Sequence, residues 1–422
     1  MSDTPSALVS PARRVRSIAA LYLGLAGDAP LTAPARISLR GINRIDVCRG
    51  ARRGVVRRKA DGAELLVVTL ADARLSSLHA RVTRIGAMWV IEDLDSKNGT
   101  WVGRNRVTRA ELADSDVIVV GDTALVFRTS GGDDADSDGA PASAHGFATL
   151  SPGLVVKFAE IAVAAQSPVP IEIIGETGTG KELAARAVHA LSRRAGKFIA
   201  VHCGASAPAL IDAELVRSAD GGTLMLAEVG ELPPESQAAL LHGLQRSDAV
   251  RIVTATHESL DAAVAANRLR ADLRAHVLGV RLELPPLRDR REDLCLLIAQ
   301  LLERHAPGRA VAFSPDAVAA LYGYNWPLNI RELERAIAAA LAVANGRIEL
   351  QHLPAALGDA VPTAPADQST WSAEDRALRD QLSAALDRQE GNIAAVSREL
   401  GKDRTQIRRW MKRFGLGHTT LD

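Results

Sequence analysis

The run Gly175-Glu-Thr-Gly-Thr-Gly-Lys-Glu182 carries the densest chemistry in the chain. Glycines at 175, 178 and 180 permit a turn whose backbone N–H groups point inward, and Lys181 adds a cation. The spacing G-x-x-x-x-G-K cradles nucleotide phosphates when it follows an apolar strand and opens a helix. Both flanks are present, with the apolar run Ile171–Ile174 ahead and an amphipathic pattern starting near Glu182. Gly175, Glu176, Thr177, Gly178, Thr179, Gly180, Lys181 and Glu182 are therefore the candidate nucleotide-binding residues, with Lys181 reaching the β and γ phosphates. Downstream, Gly221-Gly-Thr-Leu-Met-Leu-Ala-Glu-Val229 places Ala227 where an Asp would hold magnesium, while Glu228 keeps a carboxylate able to orient water. A cradle without its metal acid points to a switch or scaffold rather than a motor.

The elements that must position these residues follow from composition and patterning. At 422 residues the chain is long enough for two to four domains. Lys+Arg total 51 against 50 Asp+Glu, so any nucleic-acid surface must come from local clustering. Cys48, Cys203 and Cys295 match no metal or redox spacing and are expected to be reduced thiols, with no metal site. No apolar run reaches membrane-spanning length and no signal-peptide order opens the chain, so the expected location is the cytoplasm and no membrane partner is expected. Two segments poor in large apolar residues, 130–146 and 359–371, read as linkers. They leave residues 36–129, rich in short strand-like runs; 147–358, where apolar strands (Ile171–Ile174, Leu224–Leu226, Ile252–Ala255) alternate with helices as in a parallel sheet; and a short helical block, 372–418.

In the first block, Ser76-Ser-Leu-His79 and Asp95-Ser-Lys-Asn-Gly-Thr100 fall on loops between predicted strands, with Arg49 upstream. This resembles the forkhead-associated (FHA) domain, an all-β sandwich whose loops bind phosphothreonine peptides. The resemblance implies that Arg49 supplies charge, Ser76 a hydroxyl and Asn98 an amide, with Ser77 and Lys97 adding contacts and His79 bracing the Ser76 loop. A phosphate dianion needs that set of donors. Cys48 stands where the family usually has Gly, and Ser77 where it often has a basic residue.

GETGTGKE, together with Phe198–Ala205, Ala219–Thr223, Arg251–His257, Leu284–Asp293 and Trp326–Leu333, resembles in order the AAA+ domain of bacterial enhancer-binding proteins, the sigma-54-dependent regulators. The implied fold is an α/β P-loop NTPase core over 147–300 with a helical lid over 301–358. By that resemblance Thr256 and His257 lie beside the γ-phosphate, Arg331 is the lid's sensor arginine, and ATP or ADP is the ligand. Glu228 and Arg270 are the catalytic candidates that remain, and they are an insufficient set: Ala227 argues against Mg²⁺ and His276 occupies the second arginine-finger position. The GAFTGA loop through which the family engages sigma-54 polymerase is missing, since Ala213-Glu-Leu-Val216 runs into Arg217-Ser-Ala-Asp-Gly-Gly222.

The last block reads as two helices across a Gly401 turn, with Asp403 capping the second. Ile407, Met411 and Phe414 fall on one face of that helix. Arg404, Thr405, Arg408, Arg409 and Lys412 are the candidate DNA-binding residues on the other side. The turn and the Phe414-Gly-Leu416 ending resemble the Fis-type helix-turn-helix. The combined expectation is a multidomain transcription regulator that senses a phosphothreonine protein, a Ser/Thr kinase or its substrate, self-associates, and binds double-stranded DNA. Its nucleotide-binding AAA+ domain is expected not to hydrolyse, and engagement of sigma-54 polymerase is not expected. The competing expectations are an active ATPase driving promoter opening and a phosphopeptide adaptor with a vestigial DNA domain.

Overall fold

The structure is a computed structural model that describes residues 18–60, 63–129, 137–138, 147–204, 213–247, 249–358, 381–382, 385, 388–389, 393–404 and 406. The twelve strands of the N-terminal unit are β1 (Ala20–Ala26), β2 (Ala35–Ser38), β3 (Ile42–Arg49), β4 (Gly54–Ala60), β5 (Ala63–Leu70), β6 (Ala80–Ile85), β7 (Met88–Asp93), β8 (Thr100–Val102), β9 (Asn105–Val107), β10 (Arg109–Leu112), β11 (Val117–Val120) and β12 (Thr123–Arg128). They form two sheets, one ordered β10-β7-β6-β3-β5-β4 and one in which β2-β1-β12-β11-β8-β9 is extended by β13 (Ser137–Asp138). Leu66, Val68, Ile45 and Val82 from the first sheet meet Leu21, Leu23, Leu125 and Phe127 from the second in one core. The sandwich therefore begins sixteen residues before the expected boundary at 36, because β1 lies between β2 and β12 inside the second sheet. Of the expected linker 130–146 only β13 is described, paired to β2; the second expected linker, 359–371, lies outside the described residues.

The central unit carries a parallel sheet ordered β15-β16-β17-β14-β18, built from β14 (Ile171–Ile174), β15 (Phe198–His202), β16 (Thr223–Ala227), β17 (Arg251–Thr256) and β18 (Val280–Glu283). Six helices accompany it: α1 (Pro152–Ala164), α2 (Lys181–Leu191), α3 (Ala213–Ser218), α4 (Pro234–Leu244), α5 (Leu260–Ala265) and α6 (Ala271–Val277). Every residue of β16 and β17 is buried, as expected where helices cover both faces of a parallel sheet. Arg251 is buried inside β17 because its guanidinium donates to the carbonyls of Ala165 (2.9 Å) and Val169 (3.1 Å) beyond the end of α1.

The lid comprises α7 (Leu294–His305), β19 (Ala312–Phe313), α8 (Pro315–Gly323), α9 (Asn329–Val343), β20 (Arg347–Ile348) and α10 (Ala355–Gly358). Helix α7 crosses the expected core–lid boundary at 300 without a break. In the C-terminal block α11 (Ile393–Leu400) is described. Lys402 N–H donates to the Ser397 carbonyl at 3.1 Å past Gly401, the bond that closes a helix ending in a glycine turn.

The sandwich and the lid share one core. Tyr22, Val117, Val119, Ala124 and Val126 point away from the sandwich interior and pack with Leu294, Ile298, Phe313, Leu321 and Tyr322. This explains why β1, β11 and β12 are buried almost throughout while β6 alternates. Gly24 makes the approach possible, since a Cβ there would sit 2.7 Å from the Tyr322 hydroxyl and 2.9 Å from the Ala124 carbonyl. Polar ties frame the contact. Leu25 N–H donates to Tyr322 Oη (3.2 Å) and Phe313 N–H to the Gly27 carbonyl (2.8 Å). Arg128 pairs with the buried Glu292 at 3.1 Å. Composition led to an expectation of separate blocks joined by a linker; the sandwich instead forms a layer on the lid.

Tyr322→Ala removes a fully buried ring and leaves the Leu25 N–H unpaired. We expect a loss of about 3–5 kcal/mol, with Trp89 in the sandwich and Trp326 in the lid reporting one coincident urea transition in the wild type. Burial pushes the Glu292 carboxyl up to about 7, and burial with Asp72 and Asp28 nearby pushes Asp122 up to about 6. Both groups hold protons more tightly folded than unfolded. Their stabilising contribution is complete near pH 4 and is lost as pH rises through about 6–7, at roughly 1.4 kcal/mol per pKa unit. The interface should melt at higher temperature at pH 5.5 than at pH 8 in calorimetry, and Glu292→Gln should flatten that dependence.

Candidate functional sites

The nucleotide cradle forms where β14 turns into α2. Gly178 and Gly180 hold left-handed φ of 79° and 102°, and a Cβ on Gly178 would lie 2.1 Å from the Leu328 carbonyl of the lid. The loop is braced from outside. Ile330 N–H donates to the Gly178 carbonyl (2.9 Å), and Asn329 Nδ2 donates to the Thr177 carbonyl (3.0 Å) and to Glu176 (3.2 Å). Arg288 forks onto the Glu176 carboxylate (2.6 and 3.0 Å), holding it below the usual carboxylate range, and the buried Arg290 donates to the Thr179 carbonyl (2.8 Å). Arg288, Arg290 and Asn329 carry no site role in the sequence reading, although they fall inside its quoted segments.

A cleft of about 630 Å³ opens over this loop. Its core side includes Lys181, Ala227 and Glu228, and its lid side includes Leu297, Leu301 and Arg331. Lys181 Nζ donates to the carbonyls of Gly175 (2.6 Å) and Glu176 (3.2 Å) and lies 3.7 Å from Glu228. Burial lowers the Lys181 ammonium against the pull of Glu228. Glu228 also accepts from His257 N–H (3.2 Å) and sits 2.8 Å from His257 Nδ1. The Thr256 hydroxyl donates to the Glu258 carbonyl (3.0 Å), so Thr256 shapes the loop that carries His257 and does not line the cleft.

Magnesium is poorly served by these residues. Ala227 has no ligand atom, Glu182 is taken by Arg186 at 2.7 Å, and Glu228 is engaged as above. Among the described residues no group of three or more His, Cys, Asp or Glu could hold a metal ion. Arg270 lies outside the cleft, forked onto Asp272 (2.7 and 3.0 Å), and His276 Nδ1 meets the Asp272 carbonyl at 3.0 Å. Only the four residues Ala219–Gly222 separate α3 from β16, and no loop projects between them.

At one end of the sandwich the candidate phosphate-reading residues come together. Arg49 N–H donates to the Ser76 carbonyl (3.1 Å), tying the loop after β3 to the loop after β5. Ser76 Oγ accepts from Lys97 N–H (3.1 Å), which brings in the loop after β7. The buried His79 fixes both loops: its Nδ1 accepts from Ser76 N–H (3.1 Å) and its Nε2 meets the Gly99 carbonyl (3.1 Å), the brace expected from sequence. Arg49, Ser77 and Lys97 are exposed at this rim. Asn98 Nδ2 donates to the Arg74 carbonyl at 2.6 Å.

From Arg74 a polar path leads to the lid. Its guanidinium lies 3.2 Å from the buried Asp122, whose other oxygen lies 3.5 Å from Arg347 of β20. Arg347 also pairs with Asp28 at 3.1 Å. Asp72, also buried, is satisfied within the sandwich by the N–H groups of Arg74 and Asp122 and by the Thr123 hydroxyl. The charge of Asp122 is thus balanced from two sides, by Arg74 of the loop after β5 and by Arg347 of the lid.

In the C-terminal block Arg404 is exposed, while Thr405, Arg408, Arg409 and Lys412, with the expected core residues Ile407, Met411 and Phe414, lie outside the described residues. Among the described residues no helix is long and apolar enough to cross a membrane, and all three cysteines are free.

Comparison with known proteins agrees with this layout. Family models match for the FHA domain over residues 64–121, the sigma-54 interaction domain over 155–287, the AAA+ ATPase lid domain over 288–370 and the bacterial regulatory protein, Fis family, over 379–414. The transcriptional regulatory protein ZraR of Escherichia coli (strain K12) is 34% identical over 310 residues, covering 65% of this chain and 70% of that protein. The acetoin catabolism regulatory protein of Cupriavidus necator is 36% identical over 298 residues, covering 59% of this chain and 44% of that protein. A crystal structure of NtrX from Brucella abortus in complex with ATP is 26% identical with a TM-score of 0.46, covering 63% of this chain and 68% of that one. The chain, with an FHA sandwich ahead of its AAA+ and Fis-type domains, belongs to the family of sigma-54-dependent transcriptional regulators.

Proposed function

We propose that the protein is a DNA-binding regulator whose FHA domain senses a phosphothreonine protein and whose AAA+ domain binds ATP or ADP without turning it over. One observation carries the proposal: the FHA sandwich shares its core with the lid of a cleft in which Ala227 stands ahead of Glu228. In this reading Arg49, Ser76, Ser77, Lys97 and Asn98 hold the phosphothreonine segment. A kinase or its substrate is the matching partner class. Backbone donors of Gly175–Gly180 and the Lys181 ammonium hold the nucleotide phosphates, with Arg331 across the cleft. Bound nucleotide bridges core and lid, so its presence sets how the lid, and the sandwich with it, sits on the core. Arg404, Thr405, Arg408, Arg409 and Lys412 contact DNA, and pairing of two copies would multiply weak half-site contacts.

The rival reading, an ATPase that opens promoters for sigma-54 polymerase, is opposed by several independent features. Ala227 supplies no metal ligand, His276 cannot form a guanidinium fork, and the α3–β16 connection presents no loop to a polymerase. Arg270 lies outside its own cleft, so any contact with nucleotide would need a neighbouring copy, which makes self-association part of the proposal.

Titration of the full chain with a fluorescent ADP analogue should show saturable binding lost by at least about tenfold in Lys181→Ala, with chelation of divalent ions changing affinity by less than about threefold. Lys181-dependent ATP turnover with magnesium contradicts the proposal. A degenerate phosphothreonine peptide pool should be retained by the wild type and lost in Arg49→Ala, with no retention of the unphosphorylated pool. In hydrogen exchange, occupancy of the FHA loops should alter β19 and β20, and Arg347→Gln should remove that response while the loops stay protected.

A further inference from the structure

On strand β4 the Arg57 guanidinium donates to the Ser38 carbonyl at 2.8 Å, and the strand otherwise faces solvent. Val55, Val56, Arg57, Arg58 and Lys59 are all exposed. The strand closes one edge of its sheet, and among the described residues it pairs with β5 alone, which leaves its second backbone edge open. Between Asp46 and Asp61 the chain carries Arg49, Arg52, Arg53, Arg57, Arg58 and Lys59 and no acid. Asp46 adds no negative surface, because it is buried and paired with Arg44 (2.6 Å) and Arg81 (2.8 Å). The ledge is therefore predominantly positive, with Glu64 of β5, directly across from Lys59, as its acidic neighbour.

Its placement follows from strand direction. β3 runs parallel to β5 and β4 antiparallel to it, so β4 starts beside the end of β3 that carries Arg49. It then runs away from the loops that carry Arg49 and Ser76 for about 20 Å, at about 3.3 Å per residue. Row by row, Arg58 lies across Leu65 from Arg44, which widens the positive strip on the solvent face of the sheet.

Charges on an edge strand commonly serve to prevent pairing with other strands. Two features here exceed that need. Val55 and Val56 are 39% and 45% exposed on the same strand, apolar surface that a purely protective edge would omit. The acid-free run also begins at Arg49 itself, so the ledge and the phosphate site form one surface.

We propose that β4 is the docking strand for an acidic segment of the protein that presents the phosphothreonine. The proposal rests on the FHA reading above and specifies its partner. The segment lies extended along the open edge, its backbone pairing with β4 and its Asp and Glu side chains meeting Arg57, Arg58 and Lys59. Val55 and Val56 point to opposite sides of the strand, and successive side chains of the segment cover them. Complementary charge speeds encounter and rejects neutral or basic partners, and its effect weakens with salt. A DNA duplex would be drawn by the same charges, but the continuity with Arg49 favours a peptide.

The test is fluorescence anisotropy of the full chain with four labelled peptides, at about 50 and about 300 mM salt. One phosphothreonine peptide has Asp/Glu-rich flanks, one has Ser/Gln flanks, and each has an unphosphorylated counterpart. The acidic phosphopeptide should bind at least about tenfold tighter than the neutral one at low salt, and the gap should shrink to about threefold at high salt. Combined Arg57→Glu, Arg58→Glu and Lys59→Glu should close the gap to under about twofold and leave neutral phosphopeptide binding unchanged. The milder pair Arg58→Gln and Lys59→Gln should narrow it partway, which guards against misfolding of the triple variant. Arg49-dependent binding of both phosphopeptides with equal affinity overturns this proposal alone, as does an acidic preference that survives the triple variant. Displacement of the acidic phosphopeptide by random-sequence duplex, lost in the triple variant, reassigns the ledge to nucleic acid. Absence of binding by either phosphopeptide overturns the phosphothreonine reading and this proposal with it.

Discussion

The outer face of one β-sheet, buried against the lid of a nucleotide cleft, is the contact on which the arrangement depends. A free sandwich needs only one face of each sheet apolar. Here Tyr22, Val117, Val119, Ala124 and Val126 give the second sheet two apolar faces, and exposing them would cost about 25 cal/mol for each Å² returned to water. The lid meets that surface with Phe313, Leu321 and Tyr322. The N-terminal unit is thus a third layer of the lid, and whatever displaces the lid must carry the sandwich along.

That layering gives the remaining parts of the chain a common frame. The cradle is held by lid residues as much as by its own strand and helix, through Asn329, Ile330, Arg288 and Arg290. Asp122 is held by the lid on one side and by the loop after β5 on the other. A buried carboxylate shared between two arginines cannot lose one without leaning on the other or taking up a proton. Motion at either site therefore has a physical route to the other.

Much of the local structure is legible in the sequence. The strand run Ile171–Ile174 is observed to the residue, Leu224–Leu226 and Ile252–Ala255 lie inside longer strands, and His79 braces the Ser76 loop from inside. These features are set by patterns a few residues long. The sandwich–lid contact is not: Leu25 and Tyr322 are 297 positions apart, and no local pattern links them. A signal did exist. The unbroken apolar runs Ala20–Leu23 and Val117–Val120 are unusual in a sandwich with one wet face, and they imply a cover. The missing first strand and the uninterrupted α7 have the same cause, since both are placed by the shared core rather than by composition breaks.

The most direct measurement is the distance between the two units in solution. Spin labels at Ser77 and Val343, both exposed, on a chain with Cys48 replaced by Ser, would report it by pulsed dipolar spectroscopy. A sandwich built into the lid gives one narrow distance distribution, unchanged in width with or without ADP. A broad distribution spread over tens of ångströms, as two bodies on a flexible tether would give, contradicts the account.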